Sequence, residues 1–289
     1  MPRIGRAFTR FASEATRYVQ AADRQAIRRE LAREAFFRTA ERFTPTIEAE
    51  WPTGRFLVST ADRDVSRCTF MTGPYGLGTL IRAAQLIERQ TGTGMANREV
   101  LEIGANIGTT TIPLVTALGA SRVYAFEPVA ANYRLLRLNV IANDLASRVD
   151  THQSAVSDRV GTLHFVASAR NAGSSHVASD DEAGHEVPCV TVDDLVSRGV
   201  VAGDRLGLVW IDVEGHEASV LAGADSLVAV PTVLEYQPRL HANMDRLNEL
   251  IARRRGHVFD LASGAEVSMH TLAEGDQTRA TDLLLLPQH

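Results

Sequence analysis

The 289-residue chain contains no lysine; all 30 of its basic residues are arginine. A lysine general base, a Schiff-base lysine and the phosphate-binding lysine of a P-loop are thereby excluded. Only two cysteines occur, Cys68 and Cys189, far apart and in no CxxC pair. A disulfide framework or a cysteine zinc site is not expected, and the pattern suits a reducing cytoplasm. Apolar runs stay short of the roughly 18 residues a membrane span needs, so no span is expected. No charged–apolar–small signal pattern opens the sequence either, and the expected location is cytoplasmic.

What is present is ordinary for a globular protein: 45% hydrophobic and 22% charged residues. The net charge of −5 is unevenly placed, with ten arginines against five acids in residues 1–42. The remainder is acidic, which argues against duplex nucleic acid as the main partner.

Three regions are expected: an N-terminal helical arm over 1–45, a cap or extension over 46–98, and a ligand-binding domain over 99–289. In the arm, Ile4, Phe8, Phe11, Ala15 and Tyr18 share one helical stripe, and Ile27, Leu31 and Ala35 continue it. Such a stripe would pack on its own body or on a second copy, and a homodimer through this arm is the expectation. Beyond the arm, Arg55–Thr60 reads as a strand and Leu77–Gln90 as a helix. From Val100 onward strands alternate with helices. The predicted fold class is α/β, with a mainly parallel sheet and helices on both faces. Such sheets bind ligands beyond the carboxyl ends of their strands.

The residues at those ends are therefore the informative ones. The first strand end reads Glu102-Ile103-Gly104-Ala105-Asn106-Ile107-Gly108. Two glycines permit a tight turn and close ligand approach. The G-x-G-x-x-G nicotinamide fingerprint is not met, because Asn106 stands where the second glycine belongs. An acid two residues before Gly104 suits the amino or sulfonium end of S-adenosylmethionine better than a pyrophosphate. The second strand ends at Phe126-Glu127-Pro128, and an acid there can accept both hydroxyls of a ribose. Ser154 and Ala155, after the third strand, would lie near an adenine. The fourth strand ends in Asp212-Val213-Glu214-Gly215-His216. Asp212, Glu214 and His216 share parity, so an extended backbone would put them on one face. The cluster could hold a substrate and remove a hydroxyl proton, or ligate a divalent cation; no metal is expected. His216 is the expected base, oriented by Asp212 or Glu214, with His241 and His176 as lesser candidates. The 171–175 loop could close over a substrate.

VLEIGANIG, YAFEP with Asn132 and Leu138-Asn139 downstream, SAVSD, NAGSS, IDVEGHEASVLAGA and VLEYQP together resemble the FkbM family of S-adenosylmethionine-dependent methyltransferases. The resemblance covers residues 99–240. It implies a class I, Rossmann-like methyltransferase fold and methyl transfer to a hydroxyl of a sugar or macrocyclic natural product. By position, Glu102, Gly104, Asn106 and Gly108 would line the methionine part of the cofactor and Glu127 would hold its ribose. Asp212, Glu214 and His216 would face the acceptor. Many relatives carry Asp at Glu102 and Lys at Trp210, so a cation beside the cluster is missing here. A nitrogen or carbon acceptor on the same fold and a non-catalytic adenosyl-binding scaffold are the alternatives.

Overall fold

A computed structural model describes residues 26–166, 176–177, 184–238, 244–254, 256–274 and 280–288. The predicted stripe from Ile4 to Tyr18, the 171–175 loop, His241 and the side chain of His176 lie outside the described residues.

Helix α1 spans 26–40. The expected stripe does not pack on its own body. Ile27 and Leu31 are 55% and 64% exposed, while Phe37 and Ala40 are buried. Anchoring comes from the far turn. Phe37 meets Phe70 in a tilted contact at 5.6 Å between centroids, and Arg33 lies over the Phe70 ring at 4.5 Å. A chelate of charges helps, since Arg67 pairs with Glu34 at 2.8 Å.

An antiparallel hairpin follows, β1 (Thr46–Trp51) with β2 (Gly54–Ser59). The sequence reading had only its second strand. Helices α2 (Val65–Thr72) and α3 (Leu77–Thr91) come next, the latter closed by Gly92 in the left-handed conformation that glycine favours at a helix end.

Alternation then sets in: β3 (Glu99–Ile103), α4 (Thr111–Thr116), β4 (Arg122–Phe126), α5 (Ala130–Ala142) and β5 (Val149–His152). A small accessory sheet is formed by β6 (Ala155–Val156), β7 (Gly161–Val166), β8 (His176–Val177) and β9 (His185–Val190). Next come α6 (Val192–Ser197), β10 (Leu206–Ile211), α7 (Glu217–Ala222), β11 (Thr232–Tyr236) and α8 (Met244–Arg253). The described chain ends with β12 (Gly256–Asp260), β13 (Ala265–Glu266), α9 (Met269–Glu274) and β14 (Thr281–Pro287).

Eight strands form the main sheet in the order β13-β12-β14-β11-β10-β3-β4-β5. Strands β11, β10, β3, β4 and β5 run parallel, and β14 inserts antiparallel beside β11. Strand order reverses between β3 and β10, which is where an open α/β sheet forms its crevice. Strands β3 and β10 are buried at every position, as expected of parallel strands covered on both faces. One face packs with the hairpin, α3 and α5 through Phe56, Leu80 and Leu136; the other packs with α7 and α8 through Val220 and Leu247. Each such side chain contributes about 1.5–3 kcal/mol.

The N-terminal hairpin is tied to the parallel sheet by a specific polar contact. The fully buried Asn139 on α5 accepts from Leu57 N at 2.6 Å and donates to the Leu57 and Ile107 carbonyls at 3.1 and 2.8 Å. One side chain therefore joins β2 to the glycine turn after β3. No helix among the described residues is long and apolar enough to cross a membrane.

Candidate active site

A cavity of about 470 Å³ opens at the carboxyl ends of β3, β4, β10 and β11. Its lining includes Gly104, Asn106, Glu127, Asp212, Glu214 and Glu235.

The turn after β3 explains its glycine. Gly104 has φ 89°, and a Cβ there would fall 1.8 Å from the Asp212 carbonyl oxygen. The chain turns so tightly because Asp212 N donates to Ile103 O at 2.9 Å, pressing the end of β10 against it. Asn106 also has positive φ, at 51°, and Gly108 has φ 91°. Asn106 N donates to Glu127 Oε2 at 2.9 Å, and Val129 N donates to Oε1 at 2.8 Å. Glu127 thus clamps its own turn to the glycine turn while facing the cavity. Burial first, opposed by those backbone donors and by a hydrogen bond with the Asn132 side chain, pushes its carboxyl up to about 7. The buried side-chain oxygen of Asn106 has no hydrogen-bond partner among the described residues.

Glu102 is placed differently from expectation. It is fully buried, does not line the cavity, and both its oxygens accept hydroxyl groups, from Thr110 and, at 2.5 Å, from Thr111. Its side chain points along the sheet into the start of α4. It holds Thr110, which does line the cavity. Burial raises its carboxyl to about 7, against the lowering effect of both threonines.

His216 is likewise displaced from the expected cluster. The parity argument needs an extended chain beyond Ile211. Glu214 instead has φ 51° and Gly215 φ 94°, so the backbone curls. His216 lands just before α7, with Nε2 2.8 Å from Ser157 Oγ, and burial lowers its ring to about 4. It lines a separate slot of about 20 Å³ together with Ser154, Ala155, Phe126 and Pro128. That slot shares Gly104, Pro128, Phe165 and Val213 with the main cavity, so Ser154 and Ala155 adjoin the cavity without lining it. The amides of Val213 and Gly215 are capped by the buried Glu217, at 3.2 and 3.1 Å.

What the fold does bring together is a set of carboxylates. Oxygens of Asp212, Glu214 and Glu235 lie within 4.8 Å of one another, close enough to share a proton or a cation. Strand register is the cause. Ile211 pairs with Leu234 in parallel, which places Asp212 beside Glu235, and Glu235 pairs with Asp282 in antiparallel. Burial, then repulsion from Asp282, raises Asp212 to about 6; burial, then repulsion from Asp212 and Glu214, raises Glu235 to about 8. Asp282, Asp64, Tyr75, Thr79 and Arg82 complete this side of the cavity. Sequence reasoning missed these five. The rule that sites form at carboxyl ends overlooks Asp282, since antiparallel β14 presents its amino end there. The other four arrive from the α2–α3 region, and no motif flags them.

Similarity to known proteins agrees with this geometry. Residues 102–259 match the methyltransferase FkbM domain. The 31-O-demethyl-FK506 methyltransferase FkbM of Streptomyces tacrolimicus is 29% identical over 196 residues, 57% of this chain and 73% of that protein. Methyltransferase sdnD of Sordaria araneosa is 25% identical over 159 residues, 45% of this chain and 61% of that one. Among solved structures, M. jannaschii TYW2 in complex with AdoMet superposes with a TM-score of 0.41 at 12% identity, covering 83% of this chain and 84% of that chain. With a domain match over more than half its length and a mainly parallel α/β sheet whose glycine turn and acidic strand ends surround one cavity, the chain belongs to the FkbM methyltransferase family.

Proposed function

We propose that the protein is a cytoplasmic, S-adenosylmethionine-dependent O-methyltransferase that methylates a hydroxyl of a small sugar or natural-product acceptor. One observation carries this reading: Glu127, clamped by two backbone amides beside the Gly104 turn, presents a buried carboxylate to a cavity of about 470 Å³. The two amides and the Asn132 side chain use three of the carboxylate's roughly four acceptor sites, which leaves a site for a ribose hydroxyl. The unpartnered oxygen of Asn106 supplies a further acceptor for an amino group. These features fit the cofactor. The relative from Streptomyces tacrolimicus, named for methyl transfer onto 31-O-demethyl-FK506, supports an oxygen acceptor.

Gly104 and Asn106 form the methionine side, with Gly108 closing the turn behind them, Glu127 the ribose side, and the slot beside Ser154 and Ala155 the adenine side. Glu102 acts from behind by holding Thr110. When bound, the cofactor supplies a methyl group on a positively charged sulfur, so it carries the difficult chemistry. The cavity walls orient the acceptor oxygen toward that methyl and exclude water, and proximity lowers the barrier. Asp212 or Glu214 takes the hydroxyl proton, a contribution of about 10²–10⁴-fold. His216, engaged with Ser157, stabilises the loop in place of serving as the base.

Calorimetric titration with S-adenosylmethionine, S-adenosylhomocysteine and NAD tests the cofactor. Both adenosyl ligands should bind and NAD should not, and Glu127→Ala should weaken binding by roughly 10–100-fold, the loss of hydrogen bonds to a charged group. Absence of adenosyl binding to folded protein would refute the reading.

A further inference from the structure

We infer that Phe165, carried by the accessory sheet, is a cofactor-positioning residue: its ring stands in the wall between the adenine slot and the main cavity, and turns to pack flat on the cofactor's purine. This inference rests on the methyltransferase reading and adds to it a residue that none of the sequence motifs marks.

The slot has a volume of about 20 Å³. That is room for about one water. A purine is several times larger, so a wall has to give way. The walls common to slot and cavity are Gly104, Pro128, Phe165 and Val213. Three of them are fixed. Gly104 N donates to Phe126 O at 2.9 Å, and the Asp212 carbonyl occupies the space where a Cβ would stand. Pro128 lies between Glu127 and Val129, which are tied to each other at 2.8 Å. Val213 N is held by Glu217 at 3.2 Å. Among the slot's other walls, Phe126 stacks on His152 at 4.5 Å between centroids, and His216 is held by Ser157 at 2.8 Å.

Phe165 is held differently. Its backbone pairs on both sides, with His185 of β9 and Val177 of β8, so the strand stays in place. Its ring is held by apolar contact alone, in a small cluster with Leu163, Val187 and Cys189. The cavity beside it gives the ring room to move between staggered rotamers. Shifting any of the other walls would break a hydrogen bond or a stack. Phe165 is therefore the wall that yields. Its position also suits the rest of the cofactor. Val129 packs against the same cluster, which puts the ring beside the loop that carries Glu127. A purine against Phe165 and a ribose at Glu127 would be neighbours, as adenosine requires. An aromatic face stacks on any base, so the ring sets where the purine lies and leaves its identity to polar groups.

The test is calorimetry on the full-length protein with S-adenosylhomocysteine and with 5′-methylthioadenosine, which keeps the purine and lacks the amino-acid end. Wild-type protein that fails to bind S-adenosylhomocysteine refutes the methyltransferase reading and this inference with it. Phe165→Ala should weaken both ligands by the same factor, about tenfold, the worth of one base stacked on an aromatic ring. Phe165→Leu separates stacking from packing, because leucine fills similar space without an aromatic face. It should bind about fivefold or more weakly than wild type, whereas Phe165→Trp should stay within about threefold. In Phe165→Trp, S-adenosylhomocysteine should quench the added indole emission beyond any change in wild type, as a stacked purine does. The Leu and Trp variants keep the cluster filled, so they carry the test if Phe165→Ala does not fold. Wild-type affinity in Phe165→Leu would overturn this inference alone. So would a loss with S-adenosylhomocysteine that 5′-methylthioadenosine does not share.

Discussion

Glu102 and Glu127 are both strand-end acids in the sequence, yet they do different work. Glu127 faces the cavity; Glu102 is sealed behind it by two threonines. A sealed carboxyl has a consequence for stability. Its folded value of about 7 lies above the ordinary 4.5. Below pH 4.5 both folded and unfolded states hold the proton. Above it the unfolded chain releases the proton while the folded one retains it, so stability falls as pH rises toward about 7. The loss amounts to about 3 kcal/mol at most. Urea unfolding of the ligand-free protein at pH 5 and pH 8 should show a decline shared with the other raised carboxyls, Glu127, Asp212 and Glu235, and Glu102→Gln should shrink it without abolishing it; a decline identical to wild type would mean that Glu102 is already ionised at pH 5. A second residue-scale expectation separates the two candidate bases. Asp212→Asn should cut turnover by about 10²-fold or more, whereas His216→Ala should stay within about tenfold of wild type and lower stability. The reverse order in single-turnover assays would restore His216 as the base.

At the scale of elements, helix periodicity located α3, while the regular stripe on α1 turns away from its own body. The stripe Ile27–Leu31–Ala35 is regular, but Arg33 and Phe37 lie on the side that meets Trp51 and Phe70. Tertiary partners choose the buried face, and two aromatic rings outweigh small and β-branched side chains. Ile27, Leu31, Phe36 and Phe43 are consequently left exposed, by 55%, 64%, 57% and 82%. They support a homodimer through the arm. Leu31→Glu should convert a dimer to a monomer in light-scattering measurements while leaving the circular dichroism spectrum unchanged; a monomeric wild type would end the idea. Short helices such as α2 and α6 escaped the sequence reading because neither is long enough to show a period.

For the whole molecule, the cavity is assembled from two sources: strand ends of the parallel sheet and the α2–α3 segment held against it. Ligand binding should therefore couple to global stability. Saturation with S-adenosylhomocysteine at 100 times its Kd adds about 2.7 kcal/mol. For a chain of this size that corresponds to a rise in Tm of roughly 4–5 °C. Scanning calorimetry with and without the ligand checks this, and an unmoved Tm would show that the cavity does not bind it.

The sequence by itself determined the alternation of strands and helices, the glycine turn at Gly104, the acid at Glu127 and the family. These are local signals, carried by hydrophobic period, backbone freedom and residue spacing along one stretch of chain. Only the tertiary structure decided that Glu102 faces threonines, that His216 leaves the acidic cluster, and that Asp282 joins it. Those outcomes depend on strand register and on the left-handed turn at Glu214. Register is a relation between segments far apart in the chain, so no spacing within one segment encodes it.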